Sequence, residues 1–146
     1  MQPWEARERL ASARSAHLAT ADAAGRPHIV VVCFAVDRDE VYTAIDAKPK
    51  TTTRLRRLEN LRVNPRASIL ADHYDDLDWS RLWWVRGDGA GHELPPGAER
   101  DRALALLLDR YGQYRATPPA GPVLALHIDR WSGWSAAERP DGLSVP

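Results

Sequence analysis

Residues 15–45 read SAHLATADAAGRPHIVVVCFAVDRDEVYTAI, and this stretch decides the fold. Ser15–Ala21 alternates: Ala16, Leu18 and Thr20 face opposite to His17 and Ala19, the period-two pattern of a strand. Asp22–Pro27 is a turn in which Gly25 is free to take a positive φ. His28–Val36 is a run of β-branched and apolar residues, which predicts a strand buried on both faces. Asp37–Asp39 turns the chain again. Glu40–Ile45 predicts a third strand, with Val41, Thr43 and Ile45 alternating against Tyr42 and Ala44. Three consecutive strands joined by tight turns pair as antiparallel hairpins.

Outside this stretch the period changes. Pro3–Arg14 predicts a short helix, with Trp4, Ala6, Leu10 and Ala13 at helical spacing. Thr51–Leu61 places Leu55, Leu58 and Leu61 on one helical face; a threonine among Thr51–Thr53 caps it and Pro65 ends it. Arg66–His73 and Arg81–Glu93 return to strand, the second interrupted at Gly87, Gly89 and Gly91. Ala98–Tyr114 is the clearest helix, with Leu104, Leu107, Leu108, Tyr111 and Tyr114 in one apolar stripe. Val123–Ala136 reads as a last strand or strand pair, and Glu138–Pro146 as a loose terminus. The fold class is α+β: a mainly antiparallel sheet closed into a barrel, with short flanking helices, in one domain spanning residues 1–146.

The chain has 146 residues, 20 Lys+Arg against 20 Asp+Glu, and 44% hydrophobic residues. That mix excludes a disordered chain. Zero net charge argues against a protein that coats nucleic acid. A single cysteine, Cys33, excludes an internal disulfide framework and a cysteine-based zinc site. The N-terminus carries no signal-peptide pattern, and the longest apolar run, residues 29–36, is too short for a membrane-spanning helix. These features predict a soluble cytoplasmic protein.

The zero conceals a pattern. Between Lys48 and Arg66 stand seven bases and one acid, Glu59, a net of +6, so the remainder carries −6. A local basic cluster on a neutral protein suits a small anion better than a polyanion. Within it, Lys48-Pro49-Lys50-Thr51-Thr52-Thr53-Arg54-Leu55-Arg56-Arg57 combines a rigid loop, hydroxyl donors, bases and a helix start, all suited to a phosphate or carboxylate. Five of the six tryptophans, Trp79, Trp83, Trp84, Trp131 and Trp134, lie in two short stretches. Trp83 and Trp84 must face opposite sides of their strand, so one of them meets a ligand or a partner subunit. Dinucleotide, P-loop, zinc-protease and serine-hydrolase signatures are missing. The five histidines are scattered among the strands, so no metal site is assigned, nor any catalytic acid, base or nucleophile. That pattern suits an enzyme whose cofactor does the chemistry, such as hydride transfer.

The run His17-Leu18-Ala19-Thr20, Gly25-Arg26-Pro27-His28, Phe34, Tyr42-Thr43, Lys48-Pro49-Lys50, Leu55, Asn60-Leu61 and Asn64-Pro65-Arg66-Ala67-Ser68-Ile69-Leu70 resembles the pyridoxamine 5'-phosphate oxidase-like split-barrel superfamily. Asp75–Arg86, with Trp79-Ser80-Arg81-Leu82-Trp83-Trp84-Val85-Arg86, is similar to its actinobacterial, deazaflavin (coenzyme F420)-dependent branch. The resemblance runs from about Pro3 to Trp134. It implies an antiparallel FMN-binding-type split β-barrel that forms a homodimer, with cofactor sites in grooves between subunits. It also implies that Lys48, Pro49, Lys50, Thr51, Thr52, Arg54 and Arg57 hold the cofactor phosphate. The ring system would lie along His28, Ile29, Val30, Val31 and Val32, and Trp79 would close the site. The flavin-mononucleotide oxidases of the superfamily carry an Arg and a Lys in the second strand, whereas here His28 is its only base. The Arg-Leu-x-Pro substrate element of the vitamin B6 enzymes is also missing. The expected function is therefore hydride transfer between coenzyme F420 and a small unsaturated or heteroaromatic acceptor. The alternatives are an FMN-binding oxidoreductase or flavin reductase of the same fold, or a non-catalytic cofactor- or haem-binding dimer. Neither nucleic acid nor membrane is expected as a partner.

Overall fold

The computed structural model describes residues 1–45 and 52–138. Its strands are β1 (Ala16–Ala21), β2 (Pro27–Val32), β3 (Ala35–Asp37), β4 (Glu40–Ala44), β5 (Arg66–His73), β6 (Trp83–Glu93) and β7 (Val123–Ser135). Its helices are α1 (Pro3–Ser12), α2 (Thr52–Val63), α3 (Ala98–Arg110) and α4 (Gly112–Ala116). The strands form one sheet in the order β2-β1-β5-β6-β7-β4-β3, and every pairing is antiparallel.

That order forces the sheet to curl. β2 and β3 are its two edges, yet only Cys33 and Phe34 separate them in sequence. Each residue step spans at most about 3.8 Å, so the two edges must lie close together in space. The sheet is thus a barrel that is split between β2 and β3, which is the α+β split barrel expected.

The expectation of one strand over His28–Val36 is corrected at this seam. The chain leaves one edge at Val32 and joins the other at Ala35. Burial on both faces is corrected too: Ile29 is 65% and Val31 66% exposed. A continuous apolar run reads as a central strand, but among the described strands β2 pairs on one side only, and Ile29 and Val31 on its outer face are exposed. The first hairpin, β1–β2, forms as expected around Asp22–Arg26, with Gly25 at φ 79°. The second hairpin is β3–β4, closed by a three-residue strand and by Arg38 at φ 57°.

Two cores sit on opposite faces of the sheet. Inside the barrel, Leu18, Phe34, Val41, Ile69, Val85, Leu124, Leu126 and others pack with Ala6 and Leu10 of α1 and with Leu58 and Leu61 of α2. Outside it, Tyr42, Ala44, Val123 and Ala125 pack against Ala103, Leu107 and Tyr111 of α3 and its C-terminal end. β4 therefore buries both its faces, although its sequence alternates as a half-buried strand would. The long helix expected over Ala98–Tyr114 is two, divided at Tyr111, whose backbone is extended. Tyr111 serves the seam instead. Its hydroxyl accepts from the Phe34 N–H at 3.1 Å and lies 2.9–3.0 Å from the carbonyls of Arg14 and Phe34. The strand expected from Arg81 starts at Trp83, because Trp79–Arg81 forms a 3-10 turn capped by Asp78. Among the described residues, no helix is long and apolar enough to cross a membrane.

Candidate cofactor site

The register of the sheet builds the outer face of the barrel row by row. Val31, His17, Leu70, Arg86 and Ser132 lie side by side across β2, β1, β5, β6 and β7. The next row is Ile29, Ala19, Ser68, Asp88 and Arg130. On the other side of the first, Asp72, Trp84 and Trp134 line up. Their sequence neighbours point inward, so the pleat puts all of these side chains outside. The result is a mixed polar and apolar face, with Ile29 and Val31 exposed at the β2 edge and Trp84 and Trp134 exposed across β6 and β7. Arg86 stands 5.9 Å over the Trp84 ring and its Nε donates to Asp88 at 2.9 Å, while the Ser68 hydroxyl donates to Asp88 at 2.5 Å. At the lower end of this face lies a cleft of about 640 Å³, shared by the end of β1, Ser68, Asp88, Arg66 and Arg130.

Helix α2 packs against β1 and β6 and comes near the start of β2 at Pro27 and His28. Arg56 and Arg57 fall on it, and Thr52 and Arg54 are placed by the backbone on its first turn. His28 reaches between the strand and this helix. Burial, then the guanidiniums of Arg56 and Arg57, holds its imidazole below the ordinary value of 6.5. His28 is thus a neutral ring at neutral pH and adds no charge to the site. A smaller cavity of about 340 Å³ opens here, lined by Arg26, His28, Arg56 and Asn60 among others. Arg26 and Asn60 belong to the motifs that carry the resemblance but not to the expected site residues, and they reach the cavity only because the β1–β2 turn folds over α2.

Of the residues expected to hold a cofactor, His28, Ile29, Val30, Val31 and Val32 share β2, and His28 at its start stands near Arg57 of α2. Val32 and Val30 face the inner core and offer only backbone, whereas Ile29 and Val31 present side chains outward. Lys48, Pro49, Lys50 and Thr51 lie outside the described residues. Trp79 is 48% exposed on the 3-10 turn between β5 and β6, beside a loop whose Leu77 is 96% exposed. That loop is pinned by Asp75, which accepts from the N–H groups of Leu77 and Asp78 and pairs with Arg81 at 3.0 Å. As expected of adjacent strand residues, Trp83 turns toward the inner core, stacked at 6.2 Å on His73, while Trp84 turns outward. Among the described residues, no three His, Cys, Asp or Glu side chains gather as metal ligands.

A second histidine has a structural task. His127 on β7 meets Glu40 on β4 at 2.6 Å, and this hydrogen bond and charge raise its pKa above 6.5. A raised pKa stabilises the fold below the unfolded value and ceases to do so as pH climbs through the folded one. A proton NMR titration should therefore place the His127 midpoint above 6.5, and Glu40→Gln should bring it down.

The fold is now identifiable. The sequence matches the pyridoxamine 5'-phosphate oxidase family over residues 3–135, and the chain belongs to that family. Solved structures with the same fold include a conserved hypothetical protein from Mycobacterium tuberculosis at 22% identity and TM-score 0.74, covering 100% of this chain and 92% of the other. An FAD-binding protein from Mesorhizobium loti matches at 23% identity and TM-score 0.69, over 91% of this chain and 94% of its own. The haem storage protein of Vibrio cholerae matches at 20% identity and TM-score 0.65, over 90% of each chain. Identities this low establish a shared fold. A search of curated proteins found no match. The family includes oxidoreductases, and the fold also serves proteins named for binding haem.

Proposed function

We propose that this chain is a homodimeric oxidoreductase that binds a phosphorylated flavin-type cofactor where β2 meets α2, with coenzyme F420 as the cofactor and FMN as the alternative. The observation that carries the reading is the exposed apolar pair Ile29 and Val31 on β2, whose first residues, Pro27 and His28, stand near Arg56 and Arg57 of α2. Neighbouring exposed apolar side chains such as Ile29 and Val31 are a common mark of a ligand or partner surface. Among the described strands β2 has no partner on the side away from β1, and backbone N–H and C=O groups on such an edge suit the polar rim of a planar ring. The cofactor, when bound, supplies the hydride chemistry. The protein binds it, orients it and excludes water. Lys48, Pro49, Lys50, Thr51, Thr52, Arg54 and Arg57 hold its phosphate, and Trp79 closes the site.

The preference for the deazaflavin rests on charge. Positive groups are concentrated in Lys48–Arg66, and His28, the one base on β2, is held toward its neutral form. A cofactor with a longer anionic tail gains more from such a segment than FMN does. Titrating the purified protein with F420 and with FMN, and following cofactor fluorescence, tests this; tighter FMN binding moves the assignment to a flavin reductase. Lys50→Ala should weaken the preferred cofactor by about 1–3 kcal/mol, the range of a charge-assisted contact. An unchanged dissociation constant would place the phosphate elsewhere.

The same face supports the homodimer: a second copy would cover Ile29 and Val31 on β2 and Trp84 and Trp134 on β6 and β7 by a two-fold contact, closing the groove over the ring. Val31→Glu places a charge in that contact and should shift sedimentation from dimer to monomer. A wild-type chain that sediments as a monomer removes the two-subunit site.

A further inference from the structure

We propose that the cleft beside the β6–β7 bulge binds a small, uncharged, planar molecule through a carbonyl-type oxygen that accepts from Arg130. On the oxidoreductase reading, on which this use rests, that molecule is the hydride acceptor. The space exists because β1 turns small side chains, Ala19 and Ala21, toward the cleft. It measures about 640 Å³, within the range of small-molecule pockets. Ala19 is the cross-strand partner of Ile29, and Pro27 of β2 lines the cleft itself. The cleft therefore opens one strand spacing, about 5 Å, from the β2 face on which the ring is proposed to lie.

The bulge places the polar groups. Asp88 pairs with Arg130 and Gly89 with Ile128, so Asp129 is an extra residue on β7 with no partner on β6. Ile128 and Trp131 both turn to the inner core. Asp129 and Arg130, two successive residues, are left exposed together and both line the cleft. A regular strand would send one of the two inward. Bulges re-aim side chains in this way and recur beside functional sites.

Charge and hydrogen bonding together select the ligand. The charged side chains of the lining are Arg66 and Arg130 against Asp88 and Asp129, which cancel, so the cleft does not select an ion. Its hydrogen bonds do not cancel. Arg66 is engaged by Asp129 at 3.1 Å. Asp88 already accepts from the Ser68 hydroxyl at 2.5 Å and from Arg86 Nε at 2.9 Å. Arg130 has no hydrogen bond or ion pair among the described residues, so its planar fork of N–H groups is the donor left for a ligand. A carboxylate there would meet repulsion from Asp88 and Asp129, whereas the oxygen of an amide, ketone or nitro group accepts the same hydrogen bonds without it.

The test uses the full chain and two probes, nicotinamide and nicotinate, which share a ring and differ by one charge. Without any cofactor, nicotinamide should shift the amide NMR signals of Ala19, Ser68 and Arg130, and bind about fivefold more tightly than nicotinate. Arg130→Met keeps the length of the stem and loses the donor, and should weaken nicotinamide about tenfold. Ala19→Leu fills the floor and should abolish the shifts. Unmoved signals in the wild type, tighter nicotinate, or shifts that survive both substitutions overturn the site. In the cofactor-loaded protein, Arg130→Met should raise the KM for cyclohexenone about tenfold and change the cofactor dissociation constant by less than about twofold. A loss of cofactor affinity with KM unchanged overturns the proposal, because Arg130 then serves the cofactor. If nicotinamide binds as stated while no flavin or deazaflavin does, the cleft stands and the oxidoreductase reading falls.

Discussion

Gly89→Ala is expected to destabilise the fold by about 3–5 kcal/mol, at the upper end for a single substitution. A β-carbon at Gly89 would lie 1.9 Å from the carbonyl oxygen of His127, 2.8 Å from its carbon and 2.9 Å from Cα of Ile128. All three atoms are backbone, so no rotamer change relieves the clash. The approach is tight because the β6–β7 ladder shifts register between Asp88 and Gly89, a bulge that presses one strand onto the other. Relief requires opening the ladder that carries the two longest strands. Gly91→Ala is the control, since its new carbon meets the mobile side chains of Leu61 and Leu126 at 3.2–3.4 Å. Urea denaturation should show a large fall in midpoint for Gly89→Ala and a small one for Gly91→Ala. Comparable midpoints would mean that the bulge relaxes.

Phe34→Ala is the second large effect, again about 3–5 kcal/mol. Phe34 is the largest fully buried side chain of the molecule and stands where the chain crosses from β2 to β3. Its ring fills the inner core, and the Arg110 guanidinium lies 5.1 Å over it. Arg110 in turn donates to the carbonyls of Ala11 and Ala13 at the end of α1. Truncation leaves a cavity bounded by an element on each side of the seam. A chain of this size loses about 2–4 °C per kcal/mol, so a thermal melt should drop by about 10 °C or more. Phe34→Leu keeps most of the volume and should cost far less. A Phe34→Ala protein that melts with the wild type would show that the seam repacks.

Both predictions depend on features that sequence reading only half saw. The three glycines of β6 were visible as interruptions, but which one meets backbone depends on the register against β7. Phe34 was visible as apolar, inside a run read as one strand. The run breaks because two edges of a curling sheet must be joined by two residues, and a one-dimensional pattern does not say where a sheet closes. The exposure of Ile29 and Val31 has the same origin: hydrophobicity reports that a residue seeks cover, not whether this chain or another molecule provides it. The candidate site divides likewise. The basic segment was legible because charge survives in composition. That Arg26 and Asn60 would meet was not, since they are far apart in sequence and share a cavity only after the turn folds over α2.

The sequence alone determined the alternation of β1, the β1–β2 turn with its positive-φ glycine, the helix ended by Pro65, the +6 segment, and through them the family. These are local properties, set by side-chain period, backbone sterics and charge. Tertiary structure decided where the barrel splits, that β4 is buried on both faces, that β2 is an exposed edge, and that Arg56 and Arg57 of α2 stand near His28 at its start. Those follow from how seven strands close on themselves, and closure depends on contacts between residues far apart in the chain.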